Sequence, residues 1–149
     1  HIIIRTAWVF SEYGNNFLKT MLRLAAERNE LSIVGDQIGC PTYAQDLAKG
    51  IVTILPRLNS QAECGVYHYC GDEPCSWYDF AKFIFSEIAF LDLKTPQLVK
   101  SINTIDYPTP AVRPMYSVLD CSRIQSYFGI IDSDWKLGVK KVVAEIVKS

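Results

Sequence analysis

The sequence predicts an α/β fold, because short strand-like runs alternate along it with longer amphipathic segments. The strand-like runs are rich in isoleucine, valine and tyrosine, and the longer segments repeat their apolar residues every three to four positions. Glycine, proline and asparagine stand between the two kinds of segment, where turns are expected. With 149 residues, of which 49% are hydrophobic and 21% charged, the chain can bury one core. We therefore expect a single domain over residues 1–149.

The first predicted element is a buried parallel strand at residues 2–10. Arg5 lies inside this apolar run, so we expect a salt bridge or a backbone hydrogen bond to satisfy it. No earlier strand precedes the run to pair with it, which suggests a fold whose N-terminal half is absent. An amphipathic helix follows, and the side chain of Asn15 or Asn16 is expected to cap its free amides.

The next segments predict a strand, a loop and a second helix. A short strand occupies residues 31–35, and the loop at residues 36–42 stays irregular because Pro41 interrupts regular hydrogen bonding. Thr42 is expected to cap the second helix, whose apolar stripe continues up to Pro56.

The second half of the chain begins with another strand. Residues 65–71 alternate in character, as expected of a strand with two unlike faces. Ser76 can cap a helix that carries Trp77 on its apolar side. Prolines limit regular structure at residues 92–114, which predicts a short strand and an extended loop there.

Two helices complete the predicted order. The shorter one begins at Asp120 or Ser122 and ends near Gly129. The last begins at about Trp135 and carries its apolar residues among lysines.

The charge balance and the apolar segments argue against nucleic-acid and membrane partners. A net charge of −1 and a pI near 6.1 leave no excess of basic side chains for a phosphate backbone. The opening apolar run is shorter than the ~20 residues that span a bilayer, and it lacks the features of a signal peptide. Five scattered cysteines fit reduced thiols better than a disulfide framework, so we expect a cytoplasmic protein.

Two motifs imitate functional sites. Tyr78 and Lys82 have the spacing at which a lysine can lower the pKa of a tyrosine, but helical periodicity places Lys82 beside the buried face and predicts a surface pair. A set of thiol and imidazole groups of the kind that binds zinc occurs without a Cys-x-x-Cys knuckle. We therefore assign neither a catalytic residue nor a metal site to these positions. The zinc-like set is Cys64, His68, Cys70 and Cys75.

Five short motifs, taken together, indicate a family. They are RTAWVF at residues 5–10, GNNF at 14–17, DQIGCPT at 36–42, DLA at 46–48 and RP-x-x-SVLD at 113–120. In this order and spacing they closely resemble the second half of the dTDP-4-dehydrorhamnose reductases, which belong to the extended short-chain dehydrogenase/reductase superfamily. The resemblance covers the chain from about residue 2 to the last helix.

The resemblance implies an NADPH-dependent reduction of the 4-keto group of a dTDP-sugar to give dTDP-rhamnose, a precursor of cell-surface polysaccharide. In this family, an N-terminal half carries a glycine-rich phosphate loop and the catalytic Tyr-x-x-x-Lys pair, while a smaller C-terminal region closes over the nucleotide sugar. The implied fold is the C-terminal portion of an extended Rossmann-like fold with its substrate-binding subdomain. No Gly-x-Gly-x-x-Gly or Gly-x-x-Gly-x-x-Gly occurs in these residues, so the isolated chain is expected to bind NADPH poorly and to be inactive.

Two other interpretations stay open. A noncatalytic module of the same fold, such as the regulatory subunit of methionine adenosyltransferase, resembles these reductases and acts as a binding partner. Nucleotide-sugar epimerases and dehydratases of the same superfamily are a further alternative. A phosphate loop and an intact Tyr-x-x-x-Lys pair upstream in the complete gene would favour the reductase, and loss of the tyrosine or lysine would favour the regulatory module.

The implied dTDP-sugar presents a thymine ring, a diphosphate and a hexose to the protein. Trp8 stands beyond the end of a parallel strand, where α/β sheets bind ligands, so its ring is a candidate for hexose contact; a core tryptophan is the alternative. Asn15, Asn16 and Phe17 begin a helix whose amides and dipole suit phosphate, although simple capping also explains the asparagines.

The remaining candidates for substrate contact lie in two loops. Gln37, Pro41 and Thr42 belong to the loop that related enzymes wrap around the substrate, or they merely end a loop and cap a helix. Arg113 is the candidate cation for the diphosphate, because a guanidinium makes bidentate contacts and Pro114 stiffens its position; a solvated arginine is the alternative. We also expect self-association through apolar surface that a further half of the fold would cover.

Overall fold

The computed structural model describes residues 1–58 and 64–148, which contain five α-helices and eight short strands. The strands are β1 (Ile2–Arg5), β2 (Val9–Phe10), β3 (Glu30–Val34), β4 (Ile38–Gly39), β5 (Thr42–Tyr43), β6 (Gly65–His68), β7 (Cys75–Ser76) and β8 (Leu98–Ile102). The helices are α1 (Phe17–Glu27), α2 (Ala44–Ile54), α3 (Trp77–Phe90), α4 (Ser122–Phe128) and α5 (Trp135–Lys148). The five helices and the strands β1, β3, β6 and β8 follow the predicted α/β order. The prediction that residues 36–42 stay irregular is wrong, because β4 and the start of β5 lie there and pair with other strands. None of the helices in these ranges combines the length and the apolar character that crossing a bilayer requires.

Strands pair two by two in the described part of the chain. β1 pairs with β6, β2 with β5 and β3 with β8, all in parallel, and β4 pairs with β7 antiparallel. Parallel pairing requires crossover connections, and helices supply them here. The register of β3 and β8 ends with Val34 opposite Ile102, so the segments that follow these two strands leave the same edge.

The predicted strand at residues 2–10 is two strands. Its backbone breaks between β1 and β2, where Trp8 adopts a left-handed conformation with φ of 51°. Each piece then finds its own partner strand. Arg5 is predicted from the sequence to lie inside a buried strand and to need a partner there. This premise is wrong, because the Arg5 side chain is exposed.

Helix capping follows the prediction at three places and departs from it at one. Asn16 caps α1, Ser76 caps α3 in a capping box, and Gly129 ends α4 in the left-handed conformation. The prediction that Thr42 caps α2 is wrong, because α2 begins after Tyr43 without a side-chain cap. The Thr42 hydroxyl instead donates to the carbonyl oxygen of Ala7 at 2.7 Å.

Two apolar clusters form the core. The first lies among α1, α3, α5 and β3 and has the ring of Phe80 at its centre, within 5.5 Å of the rings of Phe10, Phe17 and Trp135. The second lies between β6 and α4 and includes Tyr67 and Phe128. The rings of Phe17 and Trp77, the first residues of α1 and α3, are 4.6 Å apart, so the N-terminal ends of these helices meet above the first cluster.

Candidate functional site

The candidate site lies where the carboxyl ends of the parallel strands meet the N-terminal ends of two helices. Residues 6–8 follow β1, residues 35–37 follow β3 and residues 103–117 follow β8. Hydrogen bonds and ring contacts join these three segments to the start of α3. In open α/β sheets, ligands bind at this edge of the strands.

Trp8 forms one wall of the site. Its ring stacks on that of Trp77 with centroids 3.5 Å apart and planes 10° apart. Gly39 lets the ring lie close to the backbone, since a Cβ there would be 2.5 Å from Trp8 Cε2. Trp8 is partly exposed, so some of its surface stays available to a ligand.

The start of α1 adds a second part of the site. Asn16 Oδ1 accepts a hydrogen bond from the Lys19 amide at 3.1 Å, and its Nδ2 donates to the Ser11 carbonyl oxygen at 2.7 Å. The structure therefore uses the Asn16 side chain as a helix cap. Asn15 is exposed next to it, and Phe17 packs against Trp77.

Gln37 connects the aromatic pair to the segment that follows β8. The residue is 6% exposed; its Oε1 accepts from Trp77 Nε1 at 3.3 Å and its Nε2 donates to Thr104 Oγ1 at 3.0 Å. The Thr104 hydroxyl in turn donates to Asp36 Oδ1 at 2.7 Å, and the Thr104 amide donates to the same carboxylate at 2.9 Å. These two donors, the hydroxyl above all, hold the pKa of Asp36 below its ordinary value of 3.8.

Arg113 lies on an exposed loop whose two ends are held by the same short segment. Thr104 binds Asp36 at one end, and at the other Met115 and Ser117 exchange backbone hydrogen bonds of 2.8 Å with Ile38. We call residues 104–115 the anchored loop. It exposes Arg113 together with large apolar side chains, namely Ile105, Tyr107, Val112 and Met115.

Pro41 and Thr42 lie beneath the site and do not line it. Both are less than 2% exposed, and the Thr42 hydroxyl is already bonded to the Ala7 carbonyl oxygen. Thr42 fastens the loop at 36–42 to the break after β1, because its hydroxyl and its amide bond the carbonyl oxygens of Ala7 and Trp8. Of the eight predicted contact residues, Asn15 and Arg113 are exposed, Trp8 and Phe17 are half-buried, and the side chains of Asn16 and Gln37 are engaged in hydrogen bonds. Contact between any of them and a substrate stays a prediction.

Sequence reasoning missed four residues of the site: Asp36, Gly39, Trp77 and Thr104. Trp77 carried a usable signal, because the residue after a capping serine stands at the very start of its helix. Thr104 and Asp36 carried none, since each is defined by a partner far away in the sequence.

The two motifs that imitate other sites lie close to this one in the fold: Tyr78 directly follows Trp77 in α3, and Cys75 is paired with Gly39. Lys82 is exposed, with its Nζ 5.5 Å from the centroid of the Tyr78 ring. In the zinc-like set, Cys64 is exposed, whereas Cys70 is buried with its Sγ 3.6 Å from that of Cys121. Within residues 1–58 and 64–148, no three side chains are arranged to hold a metal ion.

The described helix ends do not fit the pyrophosphate of a dinucleotide. Such a group needs free amides at a helix N-terminus, whereas side-chain oxygens of Asn16, Ser76, Asp120 and Asp134 accept hydrogen bonds from amides at the starts of α1, α3, α4 and α5. Helix α2 has the carboxylate of Asp46 in its first turn. A side-chain oxygen therefore occupies one amide at each of these four helix starts, and none of the described helices follows the glycine-rich turn that brings backbone amides up to a pyrophosphate.

Comparison with known proteins adds relatives that are similar over nearly the whole chain. A family model described as the RmlD substrate binding domain matches residues 1–148. The dTDP-4-dehydrorhamnose reductase of Aggregatibacter actinomycetemcomitans is 50% identical over 147 residues, which cover 96% of this chain and 50% of that protein.

Solved structures agree with these sequence relatives. A dTDP-4-dehydrorhamnose reductase from Clostridium acetobutylicum matches with a TM-score of 0.85 and 36% identity, over 99% of this chain and 49% of the solved one. The enzyme of the same name from Bacillus anthracis, in complex with NADP, matches with a TM-score of 0.82 and 36% identity, over 97% and 48%. The chain thus spans about half the length of the curated relatives it matches, and the predicted fold class is confirmed.

Proposed function

Since this chain belongs to the family of RmlD substrate binding domains, we propose that it forms the substrate-binding part of an NADPH-dependent dTDP-4-dehydrorhamnose reductase. The whole protein then reduces the 4-keto sugar to dTDP-rhamnose and serves the synthesis of polysaccharide precursors. One observation carries this proposal: half of the residues are identical to those of a reductase of that name over 96% of the chain.

The geometry of the site supports a division of roles among its residues. Trp8 offers an apolar surface against which the face of a hexose packs. Arg113 brings a guanidinium to the diphosphate, and its place on the anchored loop lets it approach from the solvent side. Asn15 adds an amide at the rim.

Hydride transfer belongs to residues outside these 149. The printed sequence has no glycine-rich phosphate loop, and Lys82 of the Tyr78–Lys82 pair is exposed on α3, as expected of a surface pair. The chain alone is therefore expected to bind the nucleotide sugar weakly and to leave NADPH unoxidised.

The test is NADPH consumption by the complete protein with 4-keto sugars carried on dTDP, UDP and GDP. We expect turnover with dTDP-4-dehydrorhamnose and little with the other two nucleotides. Absence of turnover with every dTDP-sugar would overturn the proposal. Binding of dTDP-sugar without NADPH oxidation would favour a noncatalytic module instead.

The role of Arg113 is tested by Arg113→Ala in the same assay. Loss of charge-assisted hydrogen bonds to the diphosphate costs about 1.5–3 kcal/mol, which corresponds to a rise in KM of about 10- to 150-fold. Arg28→Ala is the matched control, because Arg28 is an exposed arginine at the opposite end of α1 from the site. An unchanged KM for Arg113→Ala would remove Arg113 from the site.

A further inference from the structure

The pair formed by Trp8 and Trp77 combines close ring stacking with an unusual backbone conformation at Trp8. Trp8 has φ of 51°, a conformation that a bulky side chain rarely adopts. Such a backbone persists only where the surroundings determine it, and it occurs preferentially at functional sites. The parallel overlap of the two rings and the close approach of Gly39 are the surroundings that do so here.

Trp77 is in turn fixed by a polar chain. Its Nε1 donates to Gln37 Oε1 at 3.3 Å, Gln37 Nε2 donates to Thr104 Oγ1 at 3.0 Å, and Thr104 Oγ1 donates to Asp36 at 2.7 Å. Gln37 is 6% exposed, so breaking either of its bonds leaves a polar atom without water to replace the partner. The chain therefore joins the aromatic pair directly to the base of the anchored loop.

We propose that Trp77 and Gln37 are positioning residues for substrate recognition. They set the plane of the Trp8 ring and connect it to the loop that carries Arg113. Trp8, which contacts the hexose, and Arg113, which contacts the diphosphate, therefore keep one relative position. The inference rests on the proposed function, because it takes Trp8 as the residue that contacts the hexose. It further implies that the hexose uses only the ring surface that Trp77 leaves uncovered.

The first test is Trp77→Phe in the complete protein. Phenylalanine keeps an aromatic ring at this position but loses the Nε1 donor and much of the ring overlap. An aromatic pair is worth about 0.5–1.5 kcal/mol, so we expect KM for the nucleotide sugar to rise about 2- to 10-fold while kcat changes less. Two stacked indoles also couple their transitions, and the resulting couplet in the far-ultraviolet circular dichroism spectrum is expected to disappear.

Trp135→Phe is the matched control. Trp135 is a buried tryptophan whose Nε1 donates to the Glu73 carbonyl oxygen, and it makes edge contacts with Phe80 and Phe83 but no parallel stack. This substitution removes the same ring type and the same donor, so we expect lower stability with an unchanged KM and an unchanged couplet.

A second variant keeps the test decisive if Trp77→Phe fails to fold. Gln37→Met preserves side-chain length and removes both hydrogen bonds, so we expect a raised KM and a weaker couplet. Trp8→Ala separates this inference from the proposed function: an unchanged KM in Trp8→Ala would remove Trp8 from the substrate site and overturn the inference, whereas only absence of turnover in the complete protein overturns the proposed function. A raised KM in Trp8→Ala, with KM and couplet unchanged in the foldable variants of Trp77 and Gln37, would overturn the positioning role alone.

Discussion

The hydroxyl of Thr42 bonds a residue far away in the sequence and does not cap the helix that follows it. The residue precedes a helix, and threonine in that place usually caps it. Here the hydroxyl is fully buried and donates to Ala7, 35 positions away in the sequence. The N-cap of α2 is Tyr43, so Thr42 lies one residue before the cap position, and its hydroxyl satisfies the partly buried carbonyl oxygen of Ala7 instead.

The carboxylate of Asp36 makes the stability of the folded protein depend on pH, in a direction set by its lowered pKa. Its pKa is lowered in the folded protein by the hydroxyl and amide of Thr104. The stability that this carboxylate contributes is therefore complete above its ordinary value of 3.8 and is lost as the pH falls through the lower folded value. In urea unfolding of the complete protein, we expect Asp36→Asn to lower stability near neutral pH and the difference from the unsubstituted protein to shrink below that value.

Asp92→Asn is the control for this pH dependence. Asp92 is an exposed aspartate after α3, in a left-handed conformation that asparagine also tolerates, and it accepts no such pair of bonds from a threonine. Its stability profile is expected to follow that of the unsubstituted protein. A constant difference between Asp36→Asn and the unsubstituted protein at all pH values would contradict the role given to the carboxylate.

At the scale of the element, α3 depends on its first turn. The Ser76 hydroxyl oxygen accepts from the Asp79 amide at 3.0 Å, and the Asp79 carboxylate accepts from the Ser76 amide and hydroxyl. This capping box fixes where the helix begins and therefore where Trp77 stands. The start of α3 is thus a structural support of the candidate site.

Ser76→Ala tests this support. Loss of an N-cap side chain costs about 1 kcal/mol, so we expect a reduced free energy of unfolding in chemical denaturation. Ser86→Ala is the matched control, because Ser86 is exposed within the same helix and donates only to the Phe83 carbonyl oxygen. Equal stability of the two variants would show that the capping box does not stabilise α3.

At the scale of the whole molecule, Phe80 connects the elements that carry the site to the rest of the core. Its fully buried ring contacts Phe10 of β2, Phe17 of α1 and Trp135 of α5. Because the same ring lies below the start of α1 and near Trp77, a cavity at this point loosens the core and the floor of the site together.

Phe80→Ala is expected to lower the free energy of unfolding by about 3–5 kcal/mol, since it removes a buried aromatic ring and leaves a cavity. Phe90→Ala provides a control in the same helix, where the side chain is 85% exposed and the expected change is within about 0.5 kcal/mol. Comparable losses in the two variants, measured by denaturant titration, would contradict this account of the core.

The sequence by itself determined the α/β class, the order of the five helices and of the strands β1, β3, β6 and β8, and the family, whereas it did not predict β2, β4, β5 or β7 as separate strands. Asn16, Ser76 and Gly129 were predictable because each acts on backbone atoms within four residues of itself. The motifs from residue 5 to residue 120 were equally local, and they led to the family that the comparisons found. Five of the eight predicted contact residues, Trp8 and Arg113 among them, are exposed or half-buried in the structure.

Only the tertiary structure decided how the site is supported. The bond between Gln37 and Thr104 spans 67 positions and that between Trp77 and Gln37 spans 40, and neither leaves a mark in local spacing. At the break after β1, the ring of Trp8 likewise meets Trp77 and Gly39, which lie 69 and 31 positions further along the sequence. The physical reason is that a buried polar atom or ring takes its partner from whatever the packed elements bring beside it, and that arrangement exists only once the chain has folded.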